Sequence, residues 1–110
     1  MTFGGKHKTK GDNARFDAIK RGPCIACLQR GIDLTGQGLV EVHHLNGRKH
    51  HDQTVGLCMW SHRGRVFEGY THQQMREIYG PSLAEGSKPF HEAFGSNSEL
   101  LARQNEMLEH

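Results

Sequence analysis

Leu39-Val40-Glu41-Val42-His43-His44 and, after a polar loop, Thr54-Val55-Gly56-Leu57-Cys58-Met59-Trp60-Ser61-His62-Arg63 decide how this chain folds. Residues 39–43 alternate apolar and polar side chains, the period of a half-buried strand. Asn46-Gly47 favours a tight turn, and residues 46–53 are polar throughout. Residues 54–57 read as a short second strand, and Cys58 opens a turn or helix that carries His62 and Arg63. The stretch therefore predicts a β-hairpin followed by a helix. Two consecutive strand residues point to opposite sides of a sheet, but at a strand's end twist brings both toward one cleft. His43 and His44 stand at such an end.

Upstream lies Gly22-Pro23-Cys24-Ile25-Ala26-Cys27. Turns of the Cys-x2-Cys kind aim backbone amides at thiolate sulfur, which suits a zinc knuckle. Cys24 and Cys27 supply two ligands and Cys58 a third. A matching second half would place the fourth three residues on, at position 61, where this chain has Ser61, a poor zinc ligand. A site of this kind closes with water, recruits His62, or is weakened. The plainer alternative is three buried thiols. Three cysteines are also too few for a paired disulfide framework.

The histidines fit phosphodiester hydrolysis, which needs an activated water, a Lewis acid on the phosphate and relief of charge on the leaving oxygen. In this reading His43 and His62 hold a catalytic Mg²⁺ or Mn²⁺. His44, whose ordinary pKa is near neutrality, takes a proton from water. Arg48, Lys49 and Arg63 flank the cleft, with Arg65 beyond, and are placed to neutralise DNA phosphates. Solvated surface charge is the bland account of each of them.

Composition bounds the rest. The chain has 110 residues, 35% of them hydrophobic, a mean hydropathy of −0.71 and fourteen glycines. One small, polar domain with little core is expected, and a bound metal is a common remedy for that. Net charge is +2, unevenly spread: residues 1–21 carry six Lys/Arg against two Asp, whereas residues 66–110 carry three against seven Glu. The basic half is the half with the cysteines and paired histidines, so a polyanion is the expected partner. No signal peptide or long apolar run is seen, so no membrane is expected, and the cytosol is the simplest compartment, with thiols reduced or metal-bound.

Organisation follows from punctuation. Residues 1–11 read as a flexible basic arm, 12–107 as a single domain, and 108–110 as the remnant of a tag. Asp12 or Asn13 is expected to cap a helix through Arg21, ended by Gly22 in a left-handed conformation. Thr71 is expected to cap a helix with Met75, Ile78 and Tyr79 on one face, stopped by Gly80-Pro81. Ser87 is expected to cap a helix through Phe94. Ser96 or Ser98 is expected to cap a last helix holding Leu100, Leu101 and Met107. Trp60 is expected to pack the core.

The order Cys-x2-Cys, His-His, then Cys with a nearby His resembles that of small HNH (ββα-metal) nucleases. More specifically, the chain resembles the phage-type RecA-dependent nucleases of the recombination enhancement function (Ref) family. The stretches that carry the likeness are Gly22–Cys27, Glu41-Val42-His43-His44-Leu45, residues 57–64, residues 86–95 and Glu99-Leu100-Leu101. The resemblance implies an α+β fold: a small ββα-metal (HNH) core with a structural zinc knuckle and flanking helices. It also implies a metal-dependent DNA endonuclease acting in phage recombination on DNA loaded with the RecA filament. By position it makes His44 the general base, His43 and His62 catalytic-site histidines, and Cys24, Cys27 and Cys58 zinc ligands. Ser61 departs from the His or Cys of relatives. No residue fills the middle position of the HNH triad clearly: Asn46 is early, Asp52, Gln53 and Thr54 lie closer to the expected place, and His50 and His51 add donors, either of them able to contact metal, with solvated loop as the plainer reading. The rival readings are a non-catalytic zinc-containing DNA-binding module, a degenerate fold used for protein contacts, and a nucleobase deaminase. The last would need a His-x-Glu ahead of Pro23, and none is present.

Overall fold

The computed structural model describes residues 9–109. Helix α1 (Lys10–Arg21) begins earlier than expected, because Thr9 and Asp12 form a capping box. The Thr9 hydroxyl accepts from the Asp12 amide at 3.1 Å, and the Asp12 carboxylate accepts from the Thr9 amide at 3.0 Å. Residues 9–11 of the expected arm thus belong to the helix and its cap, and residues 1–8 lie outside the described residues. Gly22 ends α1 in extended backbone (φ −89°) rather than in the expected left-handed conformation. The chain there must run straight into Pro23 and the next helix, α2 (Ile25–Leu28).

Strand β1 (Val40–His44) pairs antiparallel with β2 (Thr54–Cys58), Val40 opposite Cys58 and His44 opposite Thr54. Each strand runs one residue further than its hydrophobic pattern suggests, because pairing carries both polar ends along. Helix α3 (Met59–Arg63) follows without a linker, Cys58 serving as its N-cap, and ends at Gly64 (φ 73°). The expected hairpin-then-helix is therefore present.

Helix α4 (His72–Tyr79) is capped by Thr71 and Gln74 and stopped by Gly80. Met75 and Tyr79 are buried, but Ile78 is 40% exposed. The expected common face fails because so short a helix touches the core along one edge only. The last carbonyls of α4 are taken instead by Arg30, which donates to Ile78 O and Glu77 O at 3.0 and 3.1 Å. A 3₁₀ turn (Leu83–Glu85) leads to α5 (Ser87–Phe94). Gly86 holds the N-cap position there without a side-chain bond, so Ser87 is the first helical residue and not the cap. Helix α6 (Asn97–Leu108) opens on a Ser96–Glu99 capping box, as expected. Its inner face is Leu100 and Gln104, while Met107 is 39% exposed. Leu108, read from sequence as part of a tag remnant, closes this helix. Among the described residues no helix is long and apolar enough to cross a membrane.

The core gathers on β2, buried along its whole length beneath α1, α2 and α6. Ile19, Ile25, Val55, Leu57, Trp60 and Leu100 are fully enclosed. Trp60 packs there as expected, with its indole N–H donating to Gly80 O at 2.9 Å. A two-stranded sheet leaves outward amides on β2. That of Gly56 is satisfied by the buried Gln104 side chain, whose oxygen accepts at 2.7 Å, which is why a polar residue of α6 turns inward. Gly56 also permits close packing: a Cβ there would lie 2.9 Å from Val40 Cγ1 and 3.1 Å from both Ile19 Cγ2 and Pro23 O. Gly56→Ala is expected to cost about 1–3 kcal/mol of stability through overpacking, read as a lower midpoint in urea or thermal unfolding. An unchanged midpoint would show that these neighbours yield.

Candidate active site and metal centre

Two turns of the same design face each other. Cys24 caps α2, and its sulfur accepts from the Cys27 amide at 3.4 Å; Cys58 caps α3, and its sulfur accepts from the Ser61 amide at 3.4 Å. The three cysteines are free thiols and fully buried. Their sulfurs all lie within 4.8 Å of one another, with Cys27 and Cys58 3.7 Å apart, a grouping able to hold a metal ion. Hydrogen bonds from Cys24 and Cys27 pull the Cys58 thiol down to about 3. Hydrogen bonding to Cys24 and Cys58, with burial, pushes Cys27 far up. Such a trio accommodates one thiolate readily and a second only against repulsion, unless a cation sits among the sulfurs. The spacing and the donor set fit zinc.

The histidine cleft lies beyond the end of β1. Strand alternation puts Glu41 and His43 on the side of the sheet that meets α3. There His43 and His62 approach edge to face, ring centres 5.0 Å apart. His62 Nδ1 lies 2.9 Å from Glu41 Oε1, which orients the ring. Arg63 grips the same carboxylate with two nitrogens, at 2.9 and 2.5 Å. Burial raises the pKa of Glu41, but the bonds from Arg63 and His62 outweigh it and the net shift is downward.

His44, one residue on, faces the other way. Its Nε2 lies 3.1 Å from His51 Nδ1, and the Phe16 ring of α1 meets both imidazoles edge-on. The loop that presents His51 is braced from below. Arg15 donates to the Thr54 hydroxyl at 2.8 Å and to Thr54 O at 2.6 Å, and that hydroxyl donates to His51 O at 2.9 Å. All three imidazoles nevertheless border one opening of about 330 Å³, lined by Val42, His43, His44, Gly47, Arg48 and His62. A wider hollow of about 800 Å³ continues over Phe16, Asn46, Lys49, His50 and His51.

The structure thus brings His43 and His62 together and sets His44 at their border with a different partner. Convergence of all three rings on one point is not what the fold provides: among the described residues, only the cysteine trio forms a compact group of three metal-ligating side chains. Arg48 and Lys49 line the openings, whereas Arg63 is half-exposed and engaged with Glu41. Of the loop residues considered for the middle position, Gln53 bonds Asn46, Thr54 is buried under Arg15, and His51 is the one that reaches His44. Glu41 and Arg15 were not legible as site residues, and His51 was legible only as one of several loop donors. Period-two alternation with His43 was a usable signal for Glu41; Arg15 acts across 39 residues of sequence, with no local mark.

His43 is depressed from 6.5 to about 4, by burial first and then by the charges of His62, His44 and His91. A neutral imidazole at physiological pH is ready to ligate a metal. The unfolded chain binds this proton first, so stability is whole above pH 6.5 and falls as pH drops toward about 4. Without added divalent cation, the unfolding midpoint is expected to decline over that window, and His43→Gln should flatten the decline. Equal slopes in the two proteins would remove the buried neutral imidazole from the account.

Comparison with curated proteins gives no match. Comparison with family models matches residues 8–109 to the family described as recombination enhancement, RecA-dependent nuclease. That span is nearly the whole chain and takes in both cysteine turns, the hairpin and every helix described above. The chain belongs to the recombination-enhancement, RecA-dependent nuclease family.

Proposed function

We propose that this protein is a Mg²⁺- or Mn²⁺-dependent DNA endonuclease of the HNH (ββα-metal) type, with a structural zinc at Cys24, Cys27 and Cys58, acting on DNA loaded with the RecA filament during phage recombination. The observation that carries the reading is the cleft at the end of β1, where His43 and His62 pair beside His44 in the strand–strand–helix unit. Membership of a RecA-dependent nuclease family supports the choice of DNA and of RecA.

His43 and His62 are the residues that would hold the divalent ion, two imidazole nitrogen donors that leave room for water and phosphate oxygens. Bound there, the ion supplies Lewis-acid polarisation of the phosphate and offsets charge on the leaving oxygen. Glu41 accepts from His62 Nδ1–H and so fixes the tautomer that offers Nε2, the part commonly played by a carboxylate behind a metal-binding histidine. His44 takes the proton from the attacking water. His51 holds the His44 ring through its 3.1 Å contact, and it is the residue that acts as the middle member of the triad. Arg48 and Lys49 at the rim bind flanking phosphates, joined by Arg63 through the edge its carboxylate partner leaves open. Such contacts make binding salt-dependent and largely indifferent to sequence.

Supercoiled plasmid incubated with Mg²⁺ or Mn²⁺, with and without RecA filaments and ATP, tests this. Wild-type protein is expected to nick or cut, and His44→Ala to lose at least about 100-fold in rate, the usual worth of a general base. His51→Ala is expected to keep binding and lose part of kcat, with a shifted pH–rate profile. Equal cleavage by wild type and His44→Ala would remove His44 as the base. No cleavage by the wild type under any condition, with DNA binding retained, would leave a zinc-containing DNA-binding module.

A further inference from the structure

The zinc site proposed above has three sulfurs and, by sequence, no evident fourth ligand. We propose that Ser61 is that ligand, its hydroxyl oxygen forming the fourth vertex of a Cys₃Ser tetrahedron. The inference rests on the zinc reading and adds a residue to it.

The distances approach those of a tetrahedral vertex, most closely at Cys58. Ser61 Oγ lies 3.4 Å from Cys58 Sγ and 3.9 Å from both Cys24 Sγ and Cys27 Sγ. A tetrahedron with Zn–S near ~2.3 Å and Zn–O near ~2.0 Å sets S···O at about 3.5 Å and S···S at about 3.8 Å. The Cys27–Cys58 separation of 3.7 Å agrees with the second figure. The hydroxyl therefore stands over the face of the sulfur triangle, about evenly spaced from its corners.

The local backbone makes the same assignment. Cys58 stands to Ser61 as Cys24 stands to Cys27, each pair three residues apart with the second amide donating to the first sulfur at 3.4 Å. Ser61 thus occupies the place that Cys27 fills in the opposite turn. It is fully buried, as are all three cysteines. Its turn is pinned by Ser82, whose hydroxyl donates to Trp60 O at 2.5 Å and lies 3.4 Å from Ser61 O. The competing side chain is engaged elsewhere: His62 is held by Glu41 and faces His43.

The chemistry balances with the hydroxyl neutral. On binding Zn²⁺ the Cys58 thiolate keeps its charge, the thiols of Cys24 and Cys27 release their two protons to solvent, and each sulfur forms one metal bond. Ser61 donates an oxygen lone pair and keeps its proton. Three thiolates and one Zn²⁺ leave a single net negative charge, eased by the amides of Cys27 and Ser61 that point at sulfur. An alkoxide would double that charge inside the core.

The test uses the full chain. Elemental analysis of wild type is expected to find one zinc per chain, and X-ray absorption to give three sulfurs and one light atom around it. Ser61→Cys, a near-isosteric change, should raise the sulfur count to four and slow zinc loss to a chelator. Ser61→Ala should speed that loss by about tenfold or more, since a direct ligand is worth at least as much as a partner one shell out. With Co²⁺ in place of zinc, added imidazole should shift the visible spectrum of Ser61→Ala and leave wild type unchanged. Two results would each overturn the assignment of Ser61 while leaving the zinc itself standing: a sulfur count that stays at three in Ser61→Cys, or a wild-type cobalt spectrum that moves with imidazole as the Ala variant does. A wild-type chain that holds no metal, even after zinc is added, would overturn both.

Discussion

Three buried sulfurs within 4.8 Å of one another tie residues 24–27 to residues 58–61, and the rest of the site is hung from that tie. Cys58 is both the last residue of β2 and the N-cap of α3, so whatever holds its sulfur also sets the angle at which α3 leaves the sheet. That angle decides where His62 falls. A chain of 110 residues with 35% hydrophobic content has little spare core with which to set the angle by packing alone. The gathered thiols form a group able to hold a cation, and an ion bound there would stabilise the fold.

The two sides of β1 carry different chemistry. On the side of α3, Glu41 organises His62 and Arg63 beside a His43 kept neutral by burial. On the side of α1, His44 meets His51 and Phe16, over a loop braced by Arg15 and Thr54. Adjacent strand residues thereby gain separate environments within one opening. A metal-binding imidazole needs a fixed, unprotonated ring. A proton-accepting one needs a partner able to share the proton. In the proposed mechanism, alternation along a strand would supply both from a dipeptide.

Local chemistry in the sequence announced itself well. The cap at Thr71, the Ser96 start of α6 and the hairpin-then-helix over residues 39–63 are interactions among residues a few positions apart, and residue type alone suffices to read them; the tight turn expected at Asn46-Gly47 instead forms at residues 47–50. The cysteine trio was legible for a similar reason, since Cys-x2-Cys is a local turn that wants a distant third sulfur. The failures share the opposite character. Ile78 and Met107 fit helical periodicity yet stand at the rim, because burial depends on how far a neighbouring element extends. Gln104 is polar yet enclosed, because a two-stranded sheet leaves the Gly56 amide in need of an acceptor.

By itself the sequence determined the elements, the cysteine clamp and the dipeptide at the heart of the cleft, since each follows from residue type and short spacing. Only the tertiary structure decided which imidazoles meet. His43 goes with His62, His44 with His51, Glu41 stands behind both His62 and Arg63, and Ser61 over the sulfurs. The physical reason is that these partnerships span loops and helix angles, and a side chain's partner at that distance is set by the packing of whole elements and not by its neighbours in the chain.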